Sequence, residues 1–175
     1  MMNKNKLLFI TGGARCGKSS FALREASNTP GTKAYIATAE GLDEEMKERI
    51  KTHKKQRSKD WDTFEEPINI VDVMRGIKGT YTSIIIDCLT LWLSNVMAAD
   101  LDVLDEIEKL IQALRTTSSV SHISVVTNEV GMGIVPDTEL ARKFRDMSGL
   151  LNQRVAEVAD EVYLLVSGIP LKVKG

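Results

Sequence analysis

The residues with the clearest chemistry are Gly12-Gly13-Ala14-Arg15-Cys16-Gly17-Lys18-Ser19, which match the pattern G-x-x-x-x-G-K-[ST]. They follow an apolar run, Leu7 to Thr11, and precede a segment in which Phe21, Ala22, Arg24 and Ala26 read as a helix. Glycines in such a loop let backbone N–H groups turn inward around an anion, and the helix N-terminus behind it adds partial positive charge. The ligand this chemistry selects is a nucleoside triphosphate, ATP or GTP. Lys18 is placed to reach the β- and γ-phosphates, and the Ser19 hydroxyl to complete the shell of a Mg²⁺ ion. The metal also needs a carboxylate at the end of a neighbouring apolar strand. Asp87, closing Ser83-Ile84-Ile85-Ile86-Asp87, is the candidate; the competing reading makes it only the N-cap of a helix over Leu89 to Met97.

A second centre is suggested by histidine. The chain has two. His122 stands just before the run ISVVT and reads as a strand-end residue. His53 differs: on a helix, Met46, Arg49, Ile50, His53 and Arg57 share one face at spacings of three and four. Two guanidinium groups one turn away disfavour imidazolium, so the ring keeps a free lone pair, and the same cations would attract a phosphate. A neutral imidazole there can attack an α-phosphorus and carry a nucleotidyl group. From spacing alone a second reading stands beside this one, a solvated charged helix whose histidine borders the apolar seam.

The elements that must position these groups alternate between strand-like and helix-like runs. Strands are expected at Leu7 to Thr11, Lys33 to Ala37, Ser83 to Asp87, Ile123 to Thr127 and Val162 to Val166, several nearly all Ile, Val and Leu, as in strands buried on both faces. Helices are expected over Asp43 to Arg57, Leu101 to Arg115 and Asp137 to Ala159. Leu171 to Lys174, behind the turn Ser167-Gly168-Ile169-Pro170, reads as a short antiparallel edge strand. The fold class is therefore α/β, a P-loop fold with a mostly parallel sheet and helices on both faces. At 175 residues one nucleotide-binding domain over 1–175 suffices.

Composition narrows the partners. A net charge of -1 gives no overall basic footprint for nucleic acid. The apolar run before Thr11 is only four residues long, too short for a membrane span or a signal core. Of the two cysteines, Cys16 falls in the phosphate loop and Cys88 at a strand end, which suits thiols in a reducing cytoplasm.

GGARCGKS, YIATAE (Tyr35 to Glu40), DEEMKERIKTHKKQR, TNEVGMGIVP (Thr127 to Pro136) and ARKFRDMSGLLNQRVAEVADEVYLLVSG, taken in order over nearly the whole chain, resemble the bifunctional adenosylcobinamide kinase / adenosylcobinamide-phosphate guanylyltransferases of cobalamin biosynthesis. The resemblance implies a RecA-like P-loop fold, a trimer, and two reactions. ATP or GTP phosphorylates the aminopropanol arm of adenosylcobinamide; GTP then guanylylates a histidine, and GMP moves to adenosylcobinamide phosphate to give adenosylcobinamide-GDP. The guanylylated histidine carries over onto His53. The GTP-contacting segments carry over onto Gly12 to Ser19, onto Ala37, Thr38 and Ala39, onto Lys54, Lys55, Gln56 and Arg57, and onto Glu65 and Asp87. Three positions depart from the pattern: Cys16 stands where serine is common, Asp87 where some members have Glu, and Thr52 where a relative has a second histidine.

Two other activities compete. One is a GTP-hydrolysing switch, although no guanine-reading N-K-x-D tetrapeptide occurs. The other is a simple P-loop small-molecule kinase in which His53 is structural. No D-x-H-x-x-G corrinoid-ligating motif occurs either, so a corrinoid is expected as substrate and not as cofactor. Asn128 and Glu129 in TNEVGMGIVP are candidates to touch it, against the plainer reading of a shaped turn.

Overall fold

A computed structural model describes residues 5–41, 43–56 and 60–175; within 44–56 the side chains of Arg49, His53, Lys55 and Gln56 lie outside that description. Along the chain come β1 (Leu7–Gly12), α1 (Lys18–Ser27), β2 (Lys33–Ala37), α2 (Glu44–Gln56), β3 (Trp61–Glu65), α3 (Ile70–Ile77), β4 (Ser83–Asp87), α4 (Leu89–Ala98), α5 (Val103–Ser118), β5 (His122–Val126), α6 (Glu139–Val158), β6 (Glu161–Val166) and β7 (Ile169–Lys174). The strands form one seven-stranded sheet in the order β3-β2-β4-β5-β1-β6-β7. Every pairing is parallel except β6 with β7, which is antiparallel.

Apolar runs make the central strands because both faces are covered. Leu7 and Phe9 of β1, with Ile84 and Ile86 of β4, face one cluster completed by Met74 of α3, Trp92 of α4, Leu110 of α5 and Leu151 of α6. Ile10 and Ile85, the alternate residues, face a second cluster with Phe21, Ala22 and Ala26 of α1. Burying each such Leu, Ile or Phe side chain contributes roughly 1.5–3 kcal/mol, so the sheet's own register is fixed by which face each residue must occupy. Trp92 is wholly buried, and its indole N–H donates to the Ile68 carbonyl at 2.8 Å, which removes the cost of its one polar atom.

β2 and β4 recur with the expected ends, and the other expected elements with shifted ones. β5 begins one residue earlier than Ile123 and β6 one earlier than Val162. α6 starts at Glu139, because Thr138 and not Asp137 is its N-cap, the Thr138 hydroxyl accepting from the Ala141 N–H at 3.3 Å. α5 starts at Val103 behind Asp102, whose side chain accepts from the Leu104 and Asp105 N–H groups. β7 reaches back to Ile169, and its turn residues Ser167 and Gly168 both have positive φ, 50° and 85°, the backbone hand that matches a tight hairpin. β3 and α3 were not expected from the sequence. Arg57, the expected end of α2, lies outside the described residues. Among the described residues no helix is long and apolar enough to cross a membrane.

Candidate active site

The phosphate loop is built by three residues with positive φ between β1 and α1. Gly12 (149°), Arg15 (56°) and Gly17 (97°) bend the chain into a closed turn. A side chain on Gly12 would put its Cβ 2.5 Å from the Leu165 carbonyl oxygen, so glycine is needed for space as well as for conformation. Neighbours brace the loop: the Gly168 N–H donates to the Cys16 carbonyl at 3.0 Å, and the Glu129 N–H to that of Gly12 at 3.0 Å. The N-cap of α1 is Gly17, which offers no side-chain hydrogen bond to the first-turn amides. These orphan donors, with the helix dipole, make an anion site. Lys18 is 7% exposed, and its ammonium donates to the carbonyl oxygens of Gly12 at 3.0 Å and Gly13 at 2.6 Å.

Asp87 sits beside the loop because of sheet register. Glu65 pairs with Ala37, Ala37 with Asp87, and Asp87 with Val126, so one row crosses the C-terminal ends of four strands. This is the edge at which open α/β sheets bind ligands. The Asp87 carboxylate does not cap α4, whose N-cap is Cys88. Its Oδ2 accepts from the Ser19 hydroxyl at 2.7 Å and from the Tyr35 phenol at 2.5 Å. Ser19 and Asp87, distant in sequence, thus meet as the residue types had suggested.

Thr38 is arranged differently from its neighbours. It is fully buried; its Oγ1 donates to the Cys88 carbonyl at 2.8 Å and accepts from the Cys88 N–H at 2.8 Å. Its own N–H donates to the Asp87 carbonyl at 3.1 Å. Asn95 of α4 secures the same turn, its Nδ2 donating to the Thr38 carbonyl at 2.9 Å and the Pro67 carbonyl at 3.0 Å. Burial pushes the Cys88 thiol up to about 12. The side chains of Thr38 and Asn95 therefore hold the backbone around Asp87, while Ala37 and Ala39 line an open cavity.

That cavity, about 980 Å³, has the phosphate loop from Ala14 to Ser19 on one wall and α2 on the other. Asp87, Glu65, Tyr35 and Asn128 also line it, and α2 contributes Thr52 and Lys54, the residues on either side of His53. The Lys54 ammonium forms an ion pair with the Glu65 carboxylate, tying α2 to the end of β3. Among the sequence-derived candidates, Ala14 to Ser19 of the loop, Ala37, Ala39, Lys54, Glu65 and Asp87 line this cavity, whereas Gly12, Gly13 and Thr38 do not. The side chains of His53, Lys55 and Gln56, and Arg57 altogether, lie outside the described residues.

His122 stands at the first position of β5, at the opposite end of the parallel sheet, where burial lowers its pKa. It takes no part in the cavity. Glu129 turns its carboxylate onto its own loop, accepting from the Gly131 N–H at 2.7 Å. Tyr35 and Asn95 escaped the sequence reading. Tyr35 left one signal, a lone phenol in the strand KAYIA, since a buried hydroxyl demands a partner. Asn95 left none, its two acceptors being loop carbonyls.

Solved structures share the fold at low identity. The RadB recombinase superimposes with TM-score 0.52 and 13% identity, covering 91% of this chain and 73% of that one. An ATPase from the type III secretion system of pathogenic bacteria gives TM-score 0.56 and 10% identity, covering 92% and 51%. Sequence relatives are nearer. The bifunctional adenosylcobalamin biosynthesis protein CobP of Pseudomonas aeruginosa is 39% identical over 170 residues, covering 95% of this chain and 96% of that protein. The corresponding CobU of Salmonella typhimurium is 38% identical over 183 residues, covering 96% and 99%. The sequence model described as cobinamide kinase / cobinamide phosphate guanyltransferase matches residues 8–173. With a phosphate loop, an Asp87 carboxylate bonded to it, and this match over nearly its full length, the chain belongs to the cobinamide kinase / cobinamide phosphate guanyltransferase family.

Proposed function

We propose that this chain carries out two transfers on one scaffold. In the first, the aminopropanol hydroxyl of adenosylcobinamide attacks the γ-phosphorus of ATP or GTP. An O–P bond forms, the β–γ bridge breaks, and the nucleoside diphosphate leaves as the hydroxyl proton is released. In the second, an imidazole nitrogen of His53 attacks the α-phosphorus of GTP and expels pyrophosphate. The phosphate of adenosylcobinamide phosphate then displaces the histidine, and adenosylcobinamide-GDP forms as the P–N bond breaks.

The observation that carries this reading is the shared cavity: the phosphate loop forms one wall, and the helix bearing His53 forms another through Thr52 and Lys54. The first step asks for positioning and charge neutralisation more than covalent chemistry. Lys18 supplies charge, the loop amides supply orientation, and Arg15 lines the same wall. Ser19 and Asp87 are hard oxygen donors bonded to each other beside the loop, a set that fits Mg²⁺. Bound there, Mg²⁺ would neutralise charge on the phosphate oxygens. Ala37, Ala39, Lys54, Glu65 and Asp87 are assigned to the nucleotide pocket with Lys55, Gln56 and Arg57, and Thr38 to the backbone behind it. The same reading includes one domain over the whole chain, a trimeric assembly and a cytoplasmic setting, which the resemblance and the two free thiols, Cys16 and Cys88, support.

Incubation with α-³²P-GTP followed by denaturing electrophoresis tests the covalent step. The expected result is a protein-bound label, acid-labile and base-stable, that His53→Ala abolishes. A label that survives in His53→Ala moves the nucleophile elsewhere, and no label in the wild-type protein leaves a kinase without the second reaction.

A further inference from the structure

We infer that Tyr35 is a positioning residue for the metal-side carboxylate, acting through Asp87. The inference rests on the reading of Ser19 and Asp87 as the Mg²⁺-binding pair. Ala37 is the residue directly opposite Asp87 on the paired strand, and its methyl group is too short to hold a carboxylate. Tyr35 lies two residues earlier on the same strand face, and its phenol spans the diagonal to reach Asp87 Oδ2 at 2.5 Å.

The ring is fixed before the hydroxyl is considered. Tyr35 is 2% exposed, and Trp61 of β3 meets it edge to face with centroids 6.1 Å apart. Phenylalanine would fill nearly the same volume without a buried hydroxyl to satisfy, so packing alone gives no reason for tyrosine. The hydroxyl has an effect on Asp87 that Ser19 cannot supply. A carboxylate held by one rotatable serine hydroxyl keeps freedom to turn about that bond. A second donor on the same oxygen, from a strand on the other side of the site and on a rigid ring, removes it. Partners of this kind, one bond removed from the ion, commonly set metal affinity by roughly 10–100-fold.

The test uses the full chain with Mn²⁺ as probe ion and GTP as nucleotide. Free Mn²⁺ is read by electron paramagnetic resonance, and metal-free GTP affinity is read in EDTA. Tyr35→Phe is expected to weaken Mn²⁺ binding to the GTP complex by about tenfold or more, with GTP affinity in EDTA unchanged. Asp87→Asn is expected to weaken Mn²⁺ binding too, and adding Tyr35→Phe to it is expected to cost nothing further, because the phenol reaches the ion through that carboxylate. Unchanged Mn²⁺ affinity in Tyr35→Phe would overturn the inference. So would an additional loss on the Asp87→Asn background, or impaired GTP binding in EDTA, either of which marks a general structural role. Failure of the wild-type protein to bind Mn²⁺ with GTP removes the metal-pair reading and this inference together, and that failure is visible before any variant is made.

Discussion

The Lys18 ammonium donates to the Gly13 carbonyl oxygen at 2.6 Å, inside its own loop. The lysine is therefore held across the mouth of the amide cradle and not left to search for it. Lys18→Ala removes that charge while leaving the loop's glycines and bracing hydrogen bonds in place. Phosphorylation of adenosylcobinamide is expected to fall by about 10²–10³-fold, the usual loss when one prearranged donor to a developing charge is deleted. A steady-state kinase assay beside a thermal melt checks this. Activity within a few-fold of wild type would contradict the assignment of the loop.

Two adjacent glycines should behave differently. A Cβ on Gly12 meets the Leu165 carbonyl oxygen at 2.5 Å with φ at 149°, whereas one on Gly13 meets nothing within 4 Å. Gly12→Ala must push β1 away from β6 or strain the backbone, at a cost of about 2–3 kcal/mol. Gly13→Ala is expected to change stability by less than about 1 kcal/mol. Urea unfolding of both variants decides the matter, and equal midpoints would refute it.

How much of this was legible beforehand follows from which forces left a mark on the sequence. β2 and β4 have the ends expected of them, Lys33–Ala37 and Ser83–Asp87, because their apolar residues form short runs bounded by polar ones. β3, Trp-Asp-Thr-Phe-Glu, was invisible: it is an edge strand whose Asp62, Thr63 and Glu65 are exposed, and its two partly buried rings, Trp61 and Phe64, make no apolar run. α3 was missed because it is short and contains Gly76. In the site, the loop was legible because its geometry demands glycines. The Ser19 to Asp87 bond was legible because strand-end carboxylates serve such loops. The Thr38 clip on Cys88 was not, since a threonine bonding to backbone looks like any other threonine.

Glu161 ties the chain's stability to pH. Lys6 donates to it at 2.5 Å and Tyr163 at 2.7 Å, and these bonds, that from Lys6 foremost, lower its pKa from the usual 4.5 to about 2. With the folded value below the unfolded one, the unfolded chain takes up the proton first as the medium is acidified. The stabilisation is complete above about pH 4.5 and is lost between there and about pH 2. Its size should be about 1 kcal/mol, because the half-exposed Lys6 partner leaves the pair screened by solvent. Chemical denaturation across this window should show a steeper acid loss in the wild type than in Glu161→Gln. Parallel curves would mean that the carboxylate contributes nothing.

The two thiols should separate in reactivity. Cys88 is buried, and burial pushes its thiol up to about 12, which disfavours the reactive thiolate at neutral pH. Cys16 is partly exposed, lines the cavity, and places its sulfur 3.7 Å from the Lys18 ammonium. Iodoacetamide at neutral pH should therefore modify Cys16 and spare Cys88, as read by peptide mass spectrometry. Saturating GTP should slow the modification at least about tenfold, because a nucleotide in the loop occupies the approach to the sulfur. Cys16→Ser should keep kinase activity within about twofold, since a serine hydroxyl can accept from Lys18 as the sulfur does and the anion donors of such a loop are backbone amides. Modification of Cys16 at the same rate with and without nucleotide would place the triphosphate outside the cradle.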